Sequence, residues 1–160
     1  GNLVHPPLVA KLTKEETEKP KYKDGYILDG WMRNLEQKDY FDPKPDFVIF
    51  LDISDETVIR RISGRRFCPE DNFSCNIYTL PPENENHCDK CSGELIQRED
   101  DREDVVKNRL ELYREETVPV IEHFREKGNL IEVNGEPSPE EVLAEVFKKL
   151  EKRHDFNKNS

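Results

Sequence analysis

Apolar residues along this chain come in short clusters set between charged stretches. Gly25-Tyr-Ile-Leu-Asp29-Gly30 and Asp46-Phe-Val-Ile-Phe-Leu51-Asp52 are apolar runs without alternation, each closed by an acid. Such runs predict strands of a parallel sheet covered by helices on both faces. Leu130-Ile-Glu-Val133 is a third, shorter strand. Pro6-Pro7 opens a polar helix over residues 6–19, and Ser54 caps a helix over 55–63. A long helix starts at Asp101, with Val106, Leu110, Tyr113, Val120 and Phe124 on one face, a bend at Pro119 and a stop at Gly128. Ser138-Pro139-Glu140-Glu141 is a capping box, and its helix is expected to reach about Arg153. Residues 64–101 have no helical period and read as a loop-rich insert. The alternation of strands and helices indicates an α/β fold. It is organised as residues 1–63, an insert over 64–101, residues 102–153 and a disordered tail over 154–160.

Composition narrows the function. Hydrophobic residues make up 34% and charged residues 38%, with 35 acids against 25 bases and a net charge of −10. That balance argues against nucleic acid or an anionic membrane as the main partner. No apolar run approaches the roughly 18 residues of a membrane span. Nor does the sequence open like a secretory signal, so a cytoplasmic location is expected.

The 4 cysteines all fall between Cys68 and Cys91. Clustering of this kind points to a metal rather than to a disulfide scaffold. Cys88-Asp-Lys-Cys91 is a strong half-site for tetrahedral zinc, and Cys68-Pro-Glu-Asp71 is a weaker partner. Cys75 and His87 are alternative fourth ligands. A polar segment with little apolar content gains order from such a metal. Arginines form a second group: Arg33, Arg61, Arg65, Arg66, Arg98, Arg102 and Arg109. Several stand at strand ends or beside the insert, where α/β proteins bind ligands, and guanidinium forks suit phosphate oxygens.

Gly25-Tyr-Ile-Leu-Asp-Gly-Trp-Met-Arg-Asn-Leu-Glu-Gln37 resembles the adenylate kinase signature G-[FY]-[IL]-L-D-G-[FY]-P-R-[TN]-x-x-Q. Further motifs agree in order. Arg61-Ile-Ser-Gly-Arg65-Arg66 resembles the family's hinge into a mobile lid, and the insert resembles its long, zinc-bearing lid. Gln97-Arg98-Glu-Asp-Asp101 through Asn108-Arg109-Leu110 resembles the exit helix, and Val133-Asn134-Gly135 the last strand and its loop. The resemblance runs from Gly1 to about Arg153. It implies a P-loop nucleoside-monophosphate-kinase-like parallel sheet interrupted by a zinc-ribbon-like lid. The implied reaction is ATP + AMP ⇌ 2 ADP, with Mg2+ accompanying ATP and a structural Zn2+ in the lid.

Residue by residue, the resemblance places Asn2, Leu3, Val4, Gly30, Trp31, Met32, Arg33, Gln37, Arg98 and Arg109 at AMP. Arg33 would hold its phosphate and Gln37 would read the adenine edge. Arg61, Arg65, Ser74, Cys75 and Pro137 would line the ATP site, with Arg61 stacked on adenine. Arg65, Arg98 and Arg109 would be catalytic, Asp29 would lie near magnesium, and Cys68, Asp71, Cys88 and Cys91 would hold zinc. ATP, AMP and ADP are the implied partners, and a monomer the implied state when complete. Two departures stand out. No G-x-x-x-x-G-K-[ST] loop occurs in the 160 residues. The family's first strand and P-loop would precede Gly1, so the chain is expected to be a fragment, inactive alone. Trp31-Met32 also stands where the family has aromatic-proline, which is expected to alter the AMP loop. Alternatives are a UMP/CMP-type kinase and a non-catalytic zinc-ribbon interaction protein.

Overall fold

A computed structural model describes residues 6–158. Its elements run α1 (Pro6–Thr17), a 3-10 turn (Pro20–Tyr22), α2 (Gln37–Tyr40), β1 (Val48–Asp52), α3 (Asp55–Ser63), β2 (Arg65–Phe67) and β3 (Ser74–Asn76). A second 3-10 turn (Glu99–Asp101), α4 (Glu103–Leu112), a π-helical turn (Tyr113–Thr117), α5 (Val118–Glu126), β4 (Leu130–Asn134) and α6 (Pro139–Lys158) follow. The described residues fall into two compact units. One draws on residues 6–50, Leu112–Glu132 and residues 149–158, the other on Leu51–Glu111 and Val133–Lys148.

β1 and β4 pair. The Val48 amide donates to the Asn129 carbonyl (2.9 Å) at one end, and the Gly135 amide donates to the Asp52 carbonyl (2.8 Å) at the other. Start meets start and end meets end, so the pair is parallel. Together with its helices this makes the protein α/β. Leu130, Ile131 and Val133 are buried on β4. β1 departs from the expected burial on both faces: Val48 and Phe50 pack inward, but Ile49 is 43% and Leu51 48% exposed.

In the first unit, Met32, Val120, Phe124 and Leu130 form the buried cluster, with Trp31, Val48, Phe50 and Ile121 against it. The strand expected at Gly25–Gly30 is not one. No strand is assigned there, and Ile27 is 94% exposed. A strand exists through the ladder of its neighbours, and none is beside this run among the described residues. The single helix expected from Asp101 is three pieces. Pro119 has no amide proton to give the preceding turn. The chain answers with π-type bonding, in which the Val118 amide reaches back five residues to the Tyr113 carbonyl. α6 also runs on past Arg153, through the expected tail, to Lys158.

Local signals account for the starts of α3 and α6. Ser54 Oγ accepts from the Thr57 amide at 3.3 Å. The Ser138 box is reciprocal: Glu141 N donates to Ser138 Oγ (3.3 Å), and Ser138 N donates to Glu141 Oε2 (3.0 Å).

In the second unit, the insert is an antiparallel hairpin of β2 and β3, with Arg66 opposite Cys75. A bridge from Phe67 to Ile96 and another from His87 to Glu94 continue it. Its buried centre is Cys68, Cys75, Cys88 and Leu95, with Phe73 alongside. Gly64 joins α3 to this hairpin in a space that admits no side chain. A Cβ there would lie 2.5 Å from the Tyr78 ring and 2.6 Å from Asn76 Oδ1.

Candidate functional site

The chain returns on itself at two matching corners in the insert. In the first, Cys68 N donates to the Phe73 carbonyl (2.8 Å) and Asn72 N to the Cys68 carbonyl (3.1 Å). In the second, Cys88 N donates to the Gly93 carbonyl and Ser92 N to the Cys88 carbonyl, both at 2.8 Å. Asn72 and Ser92 take the same left-handed backbone, φ 60° and 59°. The correspondence extends to the ligand atoms. The Gly93 amide points to Cys91 Sγ (3.4 Å), and the Phe73 amide to Asp71 Oδ1 (2.8 Å). Asp71 therefore occupies the place in its corner that Cys91 holds in the other.

The two corners bring Cys68, Asp71, Cys88 and Cys91 together, their donor atoms all within 4.8 Å of one another. Cys68 Sγ lies 3.4 Å from Cys91 Sγ, and Cys88 Sγ 3.2 Å from Asp71 Oδ2. The Phe73 amide holds the Asp71 carboxyl below the usual carboxylate range. The Gly93 amide favours the Cys91 thiolate, but the neighbouring Cys68 sulfur, desolvation, Cys88 and Asp71 outweigh it and push the thiol up to about 12. So many would-be anions in one place keep a proton unless a cation replaces it. Cys75 is buried beside this group but is not a member, and burial pushes its thiol up. The His87 ring sits 2.8 Å from the Glu85 carbonyl instead.

Two candidate arginines, Arg65 and Arg109, reach one short turn, Glu99–Asp101, and a third, Arg98, directly precedes it. Arg65 grips the buried Asp101 carboxylate with both arms, Nε to Oδ2 at 2.8 Å and Nη2 to Oδ1 at 2.5 Å. This contact holds the Arg65 guanidinium above its ordinary pKa. Arg109 Nη1 donates to the Asp100 carbonyl (3.3 Å), and Arg98 begins the turn with its guanidinium 4.8 Å from the Phe67 ring centroid. Arg61 donates to the Gly135 and Glu136 carbonyls, both at 2.8 Å. The Glu136 carboxylate in turn accepts from Thr57 Oγ1 (2.6 Å) and Ser54 N (2.7 Å), which draw its pKa down to about 2. Pro137 follows in that loop, half-buried, and Ser74 is exposed on β3.

Arg33 belongs to the first unit. Its amide donates to Gln37 Oε1 (2.5 Å), and its carbonyl accepts from Thr117 Oγ1 (2.8 Å). Gly30 precedes it at φ +71°, and a Cβ there would come within 3.2 Å of Arg33 Nη2. Met32 sits between at φ +60° with its side chain in the core cluster. Trp31 stacks edge-on against Phe41, at 5.5 Å between centroids. Asp29 is exposed. Asn2, Leu3 and Val4 lie outside the described residues.

Sequence reasoning missed Asp101 and Thr117 as the partners of Arg65 and Arg33. The Asp100-Asp101 doublet beside Arg98 was a visible signal for the first. Nothing in the sequence pairs residues 33 and 117.

Known proteins resemble this chain along most of its length. The family model described as adenylate kinase matches residues 1–129. The adenylate kinase of Halobacterium salinarum is 39% identical over 155 residues, covering 96% of this chain and 70% of that protein. The Treponema denticola adenylate kinase is 41% identical over 146 residues, covering 90% of this chain and 70% of its own length. The Petrotoga mobilis adenylate kinase is 37% identical over 165 residues, covering 99% and 74%. A match of this extent, along a chain whose motifs fall in the family's order, places it: the chain belongs to the adenylate kinase family of nucleoside monophosphate kinases.

Proposed function

We propose that this chain supplies the AMP arginine, the phosphate-clamping arginines and a zinc-stabilised lid for the reaction ATP + AMP ⇌ 2 ADP. One observation carries the reading. Gln37 and Asp101 are buried polar residues, and each is committed to a candidate arginine, Gln37 to the Arg33 amide and Asp101 to the Arg65 guanidinium. Burying a polar group is costly unless it is well partnered. A fold that places two such groups beneath exposed arginines is holding those arginines in register for a ligand.

Arg33 would take the AMP phosphate, and Gln37, with its oxygen engaged, would offer Nε2 to the adenine edge. Arg65, Arg98 and Arg109 would neutralise the transferring phosphoryl group. Phosphoryl transfer asks the protein for positioning and charge stabilisation more than for covalent chemistry. Arg61, fixed by two carbonyls, would present its planar face to the ATP adenine beside Pro137, with Ser74 and Cys75 along the same subsite. Asp29 would stand near the magnesium. Mg2+, when bound with ATP, would supply neutralisation of the phosphate charge.

The metal cluster fits zinc. Zn–S bonds of about 2.3 Å and Zn–O bonds of about 2.0–2.2 Å require tetrahedral edges of about 3.5–3.8 Å. The Cys68–Cys91 and Cys88–Asp71 separations of 3.4 and 3.2 Å need only small adjustment. Four protein ligands leave no open position, so zinc would order the lid without touching substrate. We further propose that the 160 residues alone do not turn over, because they hold no glycine-rich loop to cradle the ATP phosphates.

Calorimetric titration with AMP tests the assignment at Arg33. Arg33→Ala is expected to weaken AMP by about 1.5–3 kcal/mol, the worth of a charge-assisted phosphate contact. AMP affinity unchanged by that substitution would refute it. A coupled ADP-formation assay tests the inactivity, and turnover by the unextended chain would refute that part.

A further inference from the structure

The π-helical turn between α4 and α5 has no part in the chemistry described above. It does, however, carry a side chain that reaches the Arg33 carbonyl. A threonine in a helix ordinarily turns its hydroxyl back to a carbonyl three or four residues earlier in its own helix. Thr117 Oγ1 instead donates outward, at 2.8 Å, to a carbonyl 84 residues away in sequence. Wide turns of this type are concentrated at functional sites, because they re-aim the side chains that follow them. Pro119 enforces the wide turn here, since it offers no amide to the preceding carbonyls.

The other contacts to this loop make the bond consequential. Met32, immediately before Arg33, lies at φ +60°, where a residue with a side chain is strained. Such a backbone persists only when its surroundings over-determine it. Met32's buried side chain fixes one point, Gln37 Oε1 on the Arg33 amide fixes a second, and Thr117 on the Arg33 carbonyl fixes a third. With both polar groups of Arg33's own backbone held, its guanidinium starts from a fixed base above Gly30.

We infer that Thr117 is a positioning residue for nucleoside-monophosphate binding. It acts through Arg33 by holding that residue's carbonyl from the π-helical turn. The inference rests on the proposed role of Arg33 at the AMP phosphate. It assigns to the α4–α5 break the task of setting the angle at which the phosphate is met.

Trp31 is the chain's 1 tryptophan and stands two residues before Arg33, so its fluorescence follows AMP titration. Thr117→Val, which keeps the shape and removes the hydroxyl, is expected to weaken AMP about five- to tenfold, the worth of one hydrogen bond. Thr117→Ser, which restores the donor, is expected to bind within about twofold of wild type. If the residue acts through Arg33, adding Thr117→Val to an Arg33→Ala chain changes the residual affinity by less than about twofold. Thr117→Ala reads the same effect should Thr117→Val prove poorly folded.

AMP affinity unchanged in Thr117→Val, beside a weakened Arg33→Ala, overturns the inference alone. An equal loss from Thr117→Val with and without Arg33 overturns it too, in favour of a general structural role. Full affinity in Arg33→Ala overturns the assignment beneath it, and the inference falls with that assignment.

Discussion

Asp101→Asn isolates the hold on Arg65 while leaving volume unchanged. The Asp101 side chain is 1% exposed and the Arg65 side chain 44% exposed, so the carboxylate is buried and the guanidinium half in water. Breaking a fully buried ion pair costs about 3–5 kcal/mol because a charge is left stranded. That limit does not apply here, since the released arginine can rehydrate. An exposed pair would be worth about 0–1 kcal/mol. The bidentate geometry and the buried carboxylate put this pair between those limits. Loss of charge-assisted hydrogen bonds costs about 1.5–3 kcal/mol, and the asparagine oxygen can keep one of the two. A loss near 1.5–2 kcal/mol follows, which for a chain of this size lowers the melting temperature by about 3–8 °C. Urea unfolding of wild type, Asp101→Asn, Arg65→Gln and the double variant gives the coupling between the two residues directly. A coupling below about 0.3 kcal/mol, indistinguishable from additive behaviour, would refute the reasoning.

Two further outcomes follow from the insert and from the loop after β4. Metal analysis of purified protein is expected to give one zinc per chain, with Cys88→Ser and Asp71→Ala each losing it and Cys75→Ser retaining it; zinc lost from Cys75→Ser but kept in Asp71→Ala would overturn the ligand set. The folded pKa of Glu136 is about 2 against an ordinary 4.5, so its carboxylate stabilises the fold above pH 4.5 and that contribution disappears as pH falls toward 2. Glu136→Gln should therefore flatten the acid limb of a stability–pH profile between those values, and an unchanged limb would show that its bonds to Ser54 and Thr57 do not matter.

The parts of the fold that were legible in the sequence are those decided by neighbours in the chain. Ser54 and the Ser138 box announce helix starts because their partners are three residues on. Cys88-x2-Cys91 announces a tight corner suited to a metal because a single turn builds it. The opposite corner was ambiguous because Asp71 stands where a cysteine ligand would have been unmistakable. Only the backbone, with the Phe73 amide on Asp71 in the manner of the Gly93 amide on Cys91, makes the two corners alike. Gly25–Gly30 misled because an apolar run specifies burial but cannot supply its own ladder partner. The interruption at Tyr113–Thr117 was placed at Pro119 as a bend. A proline says where bonding fails and not how the backbone repairs it. Arg65–Asp101 and Arg33–Thr117 were invisible because they join residues 36 and 84 positions apart.

The backbone at Met32 bears on what substitutions this loop can accept. The family signature has proline at this position, and proline's ring fixes φ near −65°, about 125° from the angle found here. The change from proline to methionine is therefore more than an exchange of side chains on one loop. Met32→Pro would force the peptide out of the left-handed region, withdraw a buried side chain from between Val120, Phe124 and Leu130, and dislodge the Arg33 amide from Gln37. No single substitution at this position therefore installs a proline-type turn while keeping both anchors. Methionine at 32 is thus entrenched: Trp31, Met32 and the residues that grip Arg33 form a set that can be exchanged only together. A chimera that imports the aromatic-proline pair alone should be worse than either parent.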